Sequence, residues 1–137
     1  MLRETAEGYF LVGTNKRKLG DTQGAIADYN KAIAINPQNA NSYNNRGIAK
    51  SNLKDYQGAI ADYNKAIEID PQLAVAYNNR GLAKYSLNGY QGVCVDCCAD
   101  WRKSLSLGNK DIERMFAVID LALCRNMRSG RRTSASF

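Results

Sequence analysis

Four asparagines stand in two adjacent pairs, Asn44-Asn45 and Asn78-Asn79, the second pair shifted by 34 residues from the first. Each amide offers two donors and an acceptor, so it can bond a peptide backbone whatever side chains that peptide carries. That is the chemistry of recognition. The chemistry of turnover is missing: the chain has no histidine, which removes the commonest general base and metal ligand. No Gly-x-x-x-x-Gly-Lys loop, Gly-x-Ser-x-Gly elbow or dinucleotide fingerprint occurs. No catalytic residue, metal or cofactor is therefore expected, and the chain reads as a non-enzyme. Cys94, Cys97 and Cys98 stand at i, i+3 and i+4, which puts three thiols on one helical face. They could take a soft metal with Cys124 as fourth ligand, act in redox chemistry, or join two molecules on oxidation. The spacing matches no structural zinc pattern, so packing as small apolar residues is the preferred reading.

Charge narrows the partners. The net charge is +6, split evenly between residues 1–109 and the much shorter 110–137. Beyond Asp120 there are Arg125, Arg128, Arg131 and Arg132 and no acid. Arginines on an aperiodic tail support only weak, salt-sensitive contact with nucleic acid or an anionic membrane. No specific nucleic-acid partner follows from them. Arg131-Arg132-Thr133-Ser134 resembles a basophilic kinase target at Ser134, a pattern that chance produces often. No apolar run reaches the roughly 18 residues of a membrane span. The N-terminus opens without a secretory leader, so the expectation is a cytoplasmic chain whose cysteines stay reduced.

These residues ride on a repeat. The segment 25–33 returns almost unchanged at 59–67, Asn36-Pro37-Gln38 returns as Asp70-Pro71-Gln72, and Tyr43-Asn44-Asn45-Arg46-Gly47 returns as Tyr77-Asn78-Asn79-Arg80-Gly81. A fixed period of this length marks stacked units, each too small to bury its own apolar face. Apolar residues at spacings of three and four predict paired helices in each unit. First helices are expected at about 5–19, 40–53 and 74–87, and second helices at about 22–35, 56–69 and 90–107. The prolines end the second helices. Gly13, Gly47 and Gly81 cost about 1 kcal/mol each in a helix interior, so their recurrence implies a close crossing that a side chain would block. In the third unit, Ala61 to Ala99 is four residues more than the period. Four residues turn a helix through slightly more than one full turn, about 400°, so the apolar face survives and one longer continuous helix over 90–107 is expected. Ile112, Met115, Phe116, Ile119, Leu123 and Met127 make an apolar stripe, the expected capping helix over 111–128. Residues 129–137 lack periodicity and read as a basic tail.

The pattern resembles the tetratricopeptide repeat (TPR). The matching residues are Tyr9, Gly13, Ala25, Tyr29, Ala32 and Pro37, then Tyr43, Gly47, Ala59, Tyr63, Ala66 and Pro71, then Tyr77 and Gly81. The resemblance implies an all-α, right-handed superhelix of three helix pairs plus a capping helix, one domain over 1–128. Its repeats would fall at about 6–39, 40–73 and 74–109. It also implies a concave groove that holds a peptide segment of a partner protein. Residues expected on that groove are Phe10 and Leu11 in the first unit, and Asn41, Asn44, Asn45, Ile48 and Asn52 in the second. The third contributes Val75, Asn78, Asn79, Leu82 and Ser86. Asn45 and Asn79 would form a short amide ladder, similar to the one in the repeat region of a protein O-linked sugar transferase. At roughly 0.5–1.5 kcal/mol per hydrogen bond, such a ladder binds weakly. Repeats that clamp the C-terminal carboxylate of heat-shock chaperones use lysine, asparagine, asparagine, lysine and arginine. Here those places hold Phe10, Thr14, Asn45, Val75 and Asn79, so that clamp is not expected. Arg46, Arg80, Lys50, Lys84, Asp28 and Asp62 read as ion pairs within and between units. Surplus apolar residues on the last helix, Val118 and Leu121, motivate a second reading in which two copies of the chain associate.

Overall fold

The first two repeats begin where a side chain can hold a free amide in the first turn of a helix. In the computed structural model, which describes residues 5–88, 94–112, 114 and 124, Thr5 caps α1 (Ala6–Lys18) and Asp21 caps α2 (Thr22–Ile35). Asn39 caps α3 (Ala40–Asn52) and Asp55 caps α4 (Tyr56–Ile69). Then follow α5 (Ala74–Leu87) and α6 (Val95–Ser106). Asp21 and Asp55 accept from the amides of Gly24 and Gly58 at 3.0 Å in both units. That is the usual way a short acidic side chain satisfies an orphan helix donor. Helices α1 and α3 stop at turns that need a tight backbone reversal, where Gly20 takes φ 91° and Lys54 takes φ 64°.

The helices pair as α1 with α2, α3 with α4 and α5 with α6, and each pair stacks on the next. This is an all-α repeat superhelix, with no strand among the described residues. No described helix is long and apolar enough to cross a membrane. Within each pair the glycine of the first helix meets the aromatic of the second. A Cβ on Gly47 would lie 2.5 Å from the Tyr63 ring, and one on Gly81 would lie 2.5 Å from the Trp101 indole. The crossing inferred from glycine recurrence is therefore real. Around it, Ala25, Tyr29 and Ala49 form one small core, and Ala59, Tyr63 and Ala83 repeat it one unit on. Each core draws residues from two neighbouring units, so no unit buries its apolar face alone.

The expected continuous helix over 90–107 is corrected. Helix α6 starts at Val95 with the non-helical Cys94 as its N-cap, so the four extra residues fall before α6, and residues 89–93 lie outside the described residues. The match of Asp100 and Trp101 to Asp62 and Tyr63 is kept, because they must reach Arg80 and Gly81. Of the capping helix expected over 111–128, Asp111, Ile112, Arg114 and Cys124 are described and helical. Ile112 and Cys124 are buried beside Trp101, and Asn109 accepts from the Asp111 amide at 3.1 Å. Val118, Leu121, Ser134 and the 129–137 tail lie outside the described residues.

Candidate functional site

Helices α3 and α5 lie side by side, and the floor between them comes from α4. Ile48, Ser51 and Asn52 of α3, Tyr56 and Tyr63 of α4, and Asn79, Leu82, Ala83 and Ser86 of α5 line one depression of about 190 Å³. Five of the expected groove residues, Ile48, Asn52, Asn79, Leu82 and Ser86, are thus brought together. Asn52 is exposed, and Leu82 is 36% exposed despite its apolar side chain. At the base, the Tyr63 hydroxyl lies 3.3 Å from Ser51 Oγ. Burial pushes its pKa up to about 12, against a smaller lowering from the Ser51 hydrogen bond. The hydroxyl is therefore a neutral hydrogen-bonding group at any physiological pH.

The remaining expected residues are spread more widely. Leu11 and Val75 are exposed and Asn41 is exposed near the start of α3. Phe10 is half-buried against Tyr29, with ring centroids 6.0 Å apart. Asn45 and Asn78 are half-buried, and Asn78 Oδ1 has no hydrogen-bond partner among the described residues. Asn44 departs from the expectation. Only 4% exposed, it accepts a 3.1 Å hydrogen bond from Asn79 Nδ2. Its amide oxygen joins two units instead of waiting for a ligand. Sequence reasoning missed Ser51, Tyr56 and Tyr63. Tyr63 carries the repeat signature, which directs attention to its ring and away from its hydroxyl.

The basic residues are bound up in the frame. Arg46 Nε and Arg46 Nη2 donate to both carboxylate oxygens of Asp62 at 2.9 and 2.7 Å, and Nη1 donates to Asn30 of the preceding unit at 2.9 Å. Arg80 repeats this with Asp100 at 2.9 and 2.6 Å and with Asn64 at 2.9 Å. Each guanidinium also lies over a tyrosine ring, Tyr43 or Tyr77. Lys50 and Lys84 reach the same two aspartates at 3.0 Å, and Lys16 pairs with Asp28 at 2.9 Å. The Asp62 and Asp100 hydrogen bonds raise the pKa of Arg46 and Arg80, outweighing the opposing effect of burial. These are bidentate, largely dry pairs. The ion pairs join the two helices of a unit, and the hydrogen bonds to Asn30 and Asn64 tie neighbouring units together.

The cysteines are paired within the chain, which corrects the expectation of free thiols. Cys94 is bonded to Cys97 and Cys98 to Cys124, with Cα atoms 5.2 and 5.4 Å apart. Both separations are ordinary for a bridge. Cys97, Cys98 and Cys124 are also buried around Trp101, so the packing reading holds beside the pairing. Among the described residues no cluster could hold a metal ion.

The geometry can be set beside known proteins. A TPR repeat model matches residues 13–54 and a tetratricopeptide repeat model matches 40–73. The TPR domain of Arabidopsis OM64 is 32% identical, with 80% of this chain and 88% of that domain covered and a TM-score of 0.72. The chain belongs to the tetratricopeptide repeat family. The first TPR of Spaghetti (RPAP3) bound to HSP90 peptide SRMEEVD is 27% identical over 86% of this chain and 92% of that one, with a TM-score of 0.75. The second TPR domain of human RPAP3, in complex with HSP70 peptide SGPTIEEVD, is 28% identical over 83% and 93%, with a TM-score of 0.73. No curated protein sequence matched the chain.

Proposed function

We propose that this TPR chain is a protein-interaction module that takes a peptide segment of a partner between α3 and α5. The observation that carries this is the depression where Ile48 and Leu82 offer apolar contact beside the amides of Asn52 and Asn79. Similar TPR domains holding HSP90 and HSP70 peptides support a peptide as the class of partner. The peptide here is of a different kind. The acidic chaperone tail needs cations at the places occupied by Phe10, Val75 and Asn79, and the nearby cations Arg46, Arg80 and Lys84 are already paired. An uncharged, partly apolar segment suits the depression better.

The test is selection from a library of random peptides, followed by titration of selected peptides onto Asn52→Ala with Leu82→Ala. Neither residue is in the frame of ion pairs, so the double variant should unfold at the wild-type midpoint. Loss of an amide contact and a buried leucine contact should weaken binding by about 1–3 kcal/mol, roughly ten- to a hundredfold. Equal affinity in the double variant would place the binding surface elsewhere. The peptide SRMEEVD should show no saturable binding; tight binding would overturn the assignment of an uncharged ligand.

A further inference from the structure

The two disulfides have different surroundings. Cys98 and Cys124 are 2% and 4% exposed inside the Trp101 core. Cys94 is half-buried at the very start of α6, while its partner Cys97 is fully buried. Cys94 is the helix N-cap, and its Sγ accepts from the Cys97 amide at 3.2 Å. A sulfur in this place is favoured as a thiolate by the helix dipole and by that N–H. The Cys94 side faces an open depression of about 410 Å³, lined by Leu87 and Val95 with Lys84, Asn88 and Asp96. Lys84 favours an anion there and Asp96 opposes it. Lys84 also serves Asp100, so the N-cap contact is the main stabiliser.

We propose that Cys94–Cys97 is a redox-active disulfide that exchanges with glutathione-class thiols, whereas Cys98–Cys124 is a closed structural bridge. An incoming glutathione thiolate attacks the accessible Cys94 Sγ. The Cys94–Cys97 bond breaks, and Cys97 leaves as a thiolate that takes a proton from water. Cys94 then carries a mixed disulfide. A second glutathione thiolate attacks the glutathione sulfur of that adduct, and Cys94 leaves as a thiolate held by the Cys97 amide. Two glutathiones are oxidised to one glutathione disulfide, and the protein pair gains two electrons. Excess glutathione disulfide drives the steps backward.

This site is separate from the peptide depression between α3 and α5, so either assignment stands or fails alone. The chain is equilibrated in glutathione buffers of graded redox ratio, acid-quenched, alkylated and mapped by peptide mass spectrometry. Cys94–Cys97 should open at a ratio at least about tenfold less reducing than Cys98–Cys124. Opening of both bridges together, or of Cys98–Cys124 first, would overturn the proposal. In Cys97→Ser, glutathione disulfide should leave one adduct, on Cys94. A folded Cys97→Ser chain without that adduct would also overturn it. Should that variant not fold, since Cys97 is fully buried, the order of opening in the wild-type titration decides by itself.

Discussion

Tyr63 shows how one side chain serves both packing and the site. Its ring fills the space that Gly47 leaves open, and its hydroxyl sits at the base of the depression near Ser51. Burial raises its pKa from 10.0 to about 12. The sign of the linkage follows directly. Below about pH 10 both folded and unfolded chains hold the phenolic proton, and the stabilisation is fully present. Above that the unfolded chain loses its proton first, so stability falls as pH rises and is lost through about pH 12, by an amount of order 2 kcal/mol. Denaturant midpoints of wild type and Tyr63→Phe between pH 9 and 12 check this, with alkaline loss expected to be smaller in Tyr63→Phe. Identical pH dependence in the two would mean that Tyr63 ionises as freely folded as unfolded.

At the level of elements, the turns carry a difference that the repeat pattern conceals. Gly20 and Lys54 occupy equivalent places after α1 and α3, and both take positive φ. Glycine adopts that conformation freely, whereas a residue with a Cβ pays roughly 1–2 kcal/mol for it. Glycine also adds disorder to the unfolded chain, so Lys54→Gly should stabilise by a net ~0.5–1 kcal/mol. Urea denaturation reads this out as a raised midpoint with an unchanged slope. A lowered midpoint would show that the lysine side chain contributes more than its backbone costs. The α5–α6 connection departs further. The four additional residues could be counted from the sequence, but helical periodicity tolerates them either inside α6 or before it. The start of α6 at Val95, with Trp101 against Gly81, places them before it.

Across the whole molecule, stability is shared between neighbouring units, and the arginines are where the sharing is most concrete. Arg80 joins Asn64 of the second unit to Asp100 of the third. Arg80→Ala should loosen the third unit by about 1–3 kcal/mol, because Asp100 would stay buried with Lys84 as its remaining cation. Trp101, the only tryptophan, lies in that unit and reports on it. Its fluorescence should unfold at lower urea than the far-ultraviolet helix signal in Arg80→Ala. Coincident transitions would show that the stack unfolds as one block.

The period of 34 residues by itself determined the helix pairs, their glycine–aromatic crossings and the family. All of these depend on contacts that are repeated in every unit and are therefore written several times in the chain. Only the tertiary structure decided that Asn44 turns inward to Asn79, that Ser51 and Tyr63 join the candidate site, and that the cysteines pair as Cys94–Cys97 and Cys98–Cys124. Each of those contacts occurs once. It depends on how far apart two particular backbones come to rest, and no spacing along the chain records that distance.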